Sequence, residues 1–123
     1  MKALVSECLI WACVTSRFSA LHQWTEAPDH VAFLRNMHRH MFHVKLCITQ
    51  QHTERDIEYI TLKRKLDQHI DTFFRNRSSQ SSCETMAVQI LEWASREYPG
   101  RHIRCSVYED GENGAEVHYA ACE

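Results

Sequence analysis

Alternation of side-chain character from His38 to Ile48 constrains this chain more than any other feature of its sequence. His38, His40, Phe42, Val44, Leu46 and Ile48 fall on one side of an extended strand, with Arg39, His43, Lys45 and Cys47 on the other. A period of two cannot be buried by a helix, so a half-covered sheet is required. Three further segments repeat the pattern. Val14, Phe18, Ala20 and His22 share a face with Ser16. Arg101 to Glu109 turns Ile103, Cys105, Val107 and Glu109 inward, and Ala115 to Ala121 turns Val117, Tyr119 and Ala121 inward. Asp110-Gly111 and Asn113-Gly114 separate the last two segments and read as turn residues of a hairpin.

Between the strand pairs the period lengthens. Ile57 to about Phe74 carries Tyr59, Leu62, Leu66, Ile70 and Phe73 at helical spacing. Arg75 to Ser82 is polar and reads as a loop. Ser81-Ser82-Cys83-Glu84 fits a capping box with Ser81 as N-cap and Glu84 at N3. Ala87, Ile90, Leu91, Ala94 and Tyr98 then face the core until Pro99-Gly100 ends the helix. The order is ββααββ, an α+β domain with an antiparallel sheet and two helices on one face. At 123 residues the expectation is a single domain, 1–123.

Fourteen Lys+Arg against sixteen Asp+Glu leave no basic field for a phosphate backbone, so nucleic acid is not an expected partner. No apolar run reaches the roughly 18 residues of a membrane span, so no membrane is expected either. The six cysteines, at 8, 13, 47, 83, 105 and 122, lack C-x-x-C spacing and read as reduced thiols of a cytoplasmic protein. The stretch from Ala3 to Val14 resembles a signal peptide, but Glu7 interrupts it, and it reads instead as a first strand.

Nine histidines point to metal or proton chemistry. In His38-Arg39-His40 both imidazoles leave the strand on one side and can meet one ion. His22, on the inner face of the preceding strand, can supply a third ligand. Three imidazoles with an open fourth position describe a catalytic zinc site; the competing reading is three strand-end polar residues with satisfied hydrogen bonds. Glu109 ends an apolar face where a carboxylate needs a partner or a ligand, such as a guanidine-like ring edge, unless it already belongs to the exposed turn. Cys83, at the start of the second helix where the dipole favours a thiolate, is the best-placed thiol, or it simply fills space there. Glu84 is explained by capping, and Asp67 and His69 by a solvated helix face.

Taken together these segments resemble the tetrahydropterin synthases, both 6-pyruvoyl-tetrahydropterin synthase and 6-carboxytetrahydropterin synthase of the queuosine pathway. Phe18-Ser19-Ala20-Leu21-His22 is similar to F-x-A-x-H, and His38-Arg39-His40 to H-G-H with Arg for Gly. Ile57-Glu58-Tyr59 with Leu62-Lys63 resembles I-D-F…L-K, Ser81 to Glu84 stands where P-T-S-E or P-T-A-E is usual, and Val107 to Asp110 is similar to V-x-E-T. The resemblance implies the T-fold, assembly into rings (usually hexamers) with active sites between subunits, and a pterin substrate such as dihydroneopterin triphosphate. It implies zinc on His22, His38 and His40, Glu109 at the pterin ring edge, and Cys83 and Glu84 along the pocket.

Two departures from that pattern bear on activity. The family's catalytic cysteine lies a few residues before H-G-H; here Leu34 holds that position, and no cysteine occurs between His22 and His40. The family's L-D-H near the end of the first helix has two alignments here. If the helix is shorter by a heptad, Leu66-Asp67-Gln68-His69 matches, with Asp67 kept and His69 next to the replaced histidine. If the loop is shorter, Phe73-Phe74-Arg75 stands there and both are gone. The expected function is a zinc-dependent lyase of this type, with Asp67 and His69 as substitute proton carriers. The alternative is a non-catalytic metal- and pterin- or guanine-binding module or partner subunit.

Overall fold

A computed structural model describes residues 7–122. In chain order the elements are β1 (Ile10–His22), a 3₁₀ segment (Asp29–Arg35), β2 (His38–Gln50), α1 (Tyr59–Phe73), β3 (Ser78–Ser79), α2 (Cys83–Glu97), β4 (Ile103–Glu109) and β5 (Asn113–Tyr119). The five strands form one sheet in the order β3-β1-β2-β4-β5. The four long strands pair antiparallel, whereas β3 runs parallel to the end of β1. The expected first strand overlaps β1 from Ile10 onward; residues 1–6 of that stretch lie outside the described residues.

Period two does what the sequence requires of it. Phe18, Phe42, Leu46, Ile48, Ile103 and Val107 are wholly buried on the face that meets the helices. Leu62, Leu66 and Ile70 of α1 and Ala87, Ile90 and Ala94 of α2 close the core from above, α1 over β1 and α2 over β4 and β5. Phe18 stacks on Phe42 with ring centroids 5.2 Å apart, and Phe74 leans on Phe18 at 5.6 Å. Among the described residues no helix is long and apolar enough to cross a membrane, and all six cysteines are free.

Four local expectations are corrected. The segment expected as an uninterrupted loop contains β3, because Leu21 and Gln23 donate backbone N–H groups to Arg77 and Ser79. The cap of α2 is Ser82, whose hydroxyl accepts from the Thr85 N–H at 3.1 Å, so N3 is Thr85 and Glu84 has no capping role. Asn113-Gly114 is strand rather than turn; the turn is Asp110-Gly111, both at positive φ, closed by Glu112 N–H to Glu109 O. Gly114 is needed there because a Cβ would stand 2.2 Å from the Val107 carbonyl oxygen. Finally, Tyr59 and Phe73 lie at the two ends of α1 and are 56% and 59% exposed, and Tyr119 on the edge strand β5 is 42% exposed. Inward orientation was expected of all three; at the end of α1 it is Phe74, not Phe73, that is buried.

Candidate metal centre and ligand pocket

The β1–β2 register sets His22 directly opposite His38, and the small Ala20 opposite His40. All three imidazoles therefore leave the inner face of two adjacent strands at one end of the sheet. Their ring centroids are 4.5 to 5.1 Å apart, above the buried Phe42 ring, which lies 5.2 Å from His22. Glu109, at the end of β4 opposite Phe42, reaches into the same space. His22, His38, His40 and Glu109 each offer one donor atom, and the four atoms lie within 4.8 Å of one another.

Each ring is oriented by a partner on Nδ1. His22 Nδ1 is 3.1 Å from the Ser81 carbonyl oxygen, His38 Nδ1 is 2.8 Å from the Asn36 carbonyl oxygen, and His40 Nδ1 is 2.7 Å from Asp110 Oδ2. Carbonyl and carboxylate oxygens only accept, so Nδ1 carries the donated proton, and in the neutral imidazole Nε2 then presents a lone pair. All three Nε2 atoms are buried with no hydrogen-bond partner. Glu109 Oε2 nevertheless lies 2.9 Å from His22 Nε2 and 3.4 Å from His40 Nε2. These contacts have ion-pair distances without hydrogen-bond geometry. Lone pairs facing a carboxylate repel unless a cation lies between them, and buried polar atoms without partners are costly. The donor set therefore fits a metal: three imidazole nitrogens, each with the outer-sphere acceptor that metal-bound histidines ordinarily have, and one carboxylate oxygen.

The parallel bridge at β3 carries the Ser81 carbonyl to His22, and the hairpin turn carries Asp110 to His40. Asp110 also accepts from the Met41 N–H at 3.0 Å. The His40 hydrogen bond first, then the Met41 N–H, hold its carboxyl below the usual range. Sequence reasoning did not identify Ser81, Asn36 or Asp110 as ring-orienting groups; the one available signal was Asp110 standing where the related motif has Thr.

Beside the cluster lies a pocket of about 470 Å³ that brings together His22, His38, Cys83, Glu84, Glu109 and Leu34. Leu34 faces this pocket from the 3₁₀ segment, and its carbonyl accepts from the Trp24 N–H at 2.8 Å. Cys83 is buried; burial first, then the negative charges of Glu109 and Glu84, push its thiol up to about 12. That environment outweighs the helix dipole, so Cys83 stays a neutral thiol, in line with the space-filling reading of the two the sequence left open.

Within one chain Asp67 and His69 do not join this group. Asp67 accepts from the Ser16 hydroxyl at 2.5 Å and faces Lys63 at 3.5 Å. Ser16 is six residues from His22 on β1, about 20 Å along an extended strand. Asp67 lines a separate open groove of about 800 Å³ with Arg17, Lys45, Lys63 and Arg75. His69 stacks on Trp93 of α2 at 4.7 Å, between the helices. Burial, then the Arg96 charge, lower its proton affinity.

Set beside solved structures, the chain matches Plasmodium falciparum 6-pyruvoyl tetrahydropterin synthase with a TM-score of 0.69. The two share a fold. The match covers 90% of this chain and 98% of that synthase, so it is the complete fold that is common to both, at 17% sequence identity. No family model and no curated protein matches the sequence. The α+β T-fold expected from the sequence is the one observed.

Proposed function

We propose that this chain is a zinc-binding protein of the tetrahydropterin synthase type, acting as a lyase on a dihydropterin such as dihydroneopterin triphosphate. One observation carries the reading: three imidazoles whose Nδ1 atoms are occupied and whose buried Nε2 atoms are left to a cation. His22, His38 and His40 hold zinc, which when bound supplies Lewis acidity toward substrate oxygens. Glu109 accepts hydrogen bonds from the guanidine-like edge of the pterin ring, and Glu84 and Cys83 line the wall of the pocket. Asp67 and His69 serve as proton carriers only across a subunit boundary, in a homo-oligomeric ring such as a hexamer. The open groove beside Asp67 supports that arrangement. The queuosine-pathway reaction and a cytoplasmic setting belong to the same reading.

A second reading is favoured by Leu34. It lines the pocket at the position of the related cysteine, and leucine neither gives nor takes a proton. In this version the chain keeps the metal and the ring-edge carboxylate and binds a pterin or guanine without turning it over.

The deciding experiment measures zinc content of the wild type and His40→Ala, then incubates the zinc-loaded protein with dihydroneopterin triphosphate. Products are read by mass spectrometry with and without chelator. Product that vanishes with chelator establishes the lyase, and substrate recovered unchanged but bound establishes the binder. A His40→Ala protein with undiminished zinc refutes both.

A further inference from the structure

Three imidazoles alone leave a metal's fourth position open, but here a carboxylate lies among them. Glu109 Oε2 lies 2.9 Å from His22 Nε2 and 3.4 Å from His40 Nε2. Around a tetrahedral zinc with bonds of about 2.0–2.1 Å, neighbouring donor atoms stand about 3.3 Å apart. The two separations bracket that figure, and the four donor atoms lie within 4.8 Å of one another. The Glu109 backbone is fixed by β4 pairing to β2 at Phe42 and by the hairpin turn, so the carboxylate is delivered from a rigid strand end.

We infer that Glu109 is a metal ligand that closes the fourth coordination position in the ligand-free protein. The inference rests on the metal reading above and extends it. A site of three histidines and one glutamate is coordinatively complete, as structural zinc sites are, and opens only when the carboxylate leaves. A ligand that offers N–H donors to Glu109 and an oxygen donor to the metal can take both places at once. A simple anion can offer only the second. Selectivity then resides in the displacement of Glu109, and small anions are kept off the metal.

Cobalt-substituted protein reports this directly, because its visible spectrum follows the coordination sphere without any turnover. Wild type, Glu109→Ala and Glu109→Gln are loaded with Co²⁺ and titrated with azide into the millimolar range. Zinc affinity is measured in parallel by chelator competition, and the circular dichroism of each variant checks its fold. The expected result is a wild-type spectrum insensitive to azide, variant spectra that shift on azide addition, and zinc affinity weakened more than about 10-fold in both variants. The glutamine variant preserves side-chain volume and guards against a folding defect in the alanine variant. A wild-type spectrum that shifts with azide as the variants do, with unchanged zinc affinity, overturns the inference and leaves the metal reading standing. Wild type that takes up neither cobalt nor zinc overturns both.

Discussion

Asp110 Oδ2 lies 2.7 Å from His40 Nδ1, and its other oxygen accepts from the Met41 N–H at 3.0 Å. A carboxylate in this position fixes the imidazole's tautomer and rotation and increases the basicity of the other ring nitrogen, Nε2. Asp110 has a φ of 55°, a left-handed conformation that Asn also tolerates. Asp110→Asn therefore keeps the turn and removes the charge. Metal affinity measured by chelator competition is expected to fall about 10-fold, at the lower end of what loss of an outer-sphere partner costs. Unchanged affinity would show that Asp110 serves only the turn.

Leu34 lines the pocket with His22 and His38, and its backbone carbonyl bond to Trp24 does not depend on the side chain. Leu34→Cys places a group able to exchange protons where none now stands. A positioned acid or base contributes about 10²- to 10⁴-fold to rate. Turnover of dihydroneopterin triphosphate, followed by mass spectrometry, is expected to rise at least about 100-fold over wild type. A variant that binds zinc and pterin but gains no turnover favours the binding module.

Ser82, rather than Ser81, caps α2. Ser82→Ala is expected to cost about 1 kcal/mol in urea denaturation, the ordinary worth of an N-cap hydroxyl. Ser81→Ala should cost much less, because only the Ser81 carbonyl oxygen bonds His22. Equal losses in the two variants would contradict the assigned cap.

The difference between those serines illustrates what the sequence carried and what it did not. Alternation over Val14–His22, His38–Ile48 and Ile103–Glu109 is a local property, so strand faces, the inward histidines and Glu109 were legible. The cap was ambiguous because Ser81 and Ser82 are chemically equal, and only the path of the chain after β3 decides between them. That bridge is two residues long and exists through hydrogen bonds to β1, which no local pattern encodes. The acceptors on the three Nδ1 atoms were hidden for the same reason: two are backbone carbonyls, which every residue has. Asp67 and His69 were placed by motif spacing alone, and spacing along a helix does not say which end of β1 a residue meets.

His69 is half-buried against Trp93 and Phe73, with centroid distances of 4.7 and 4.8 Å. Burial first, and then the Arg96 charge, disfavour its imidazolium in the folded state. The unfolded chain keeps an ordinary histidine affinity, near pH 6.5, and so binds the proton more readily. Stability is therefore full above about pH 6.5 and is lost as pH falls toward the lower folded-state value. His69→Gln removes the titrating group while keeping a side chain of similar size. Thermal denaturation at steps between pH 7.5 and 5 is expected to show a smaller drop in Tm for the variant than for wild type. Arg96→Gln should reduce the same drop by a lesser amount, because that charge is the smaller of the two causes. Parallel curves for wild type and His69→Gln would place the acid sensitivity elsewhere and count against a buried neutral imidazole between the helices.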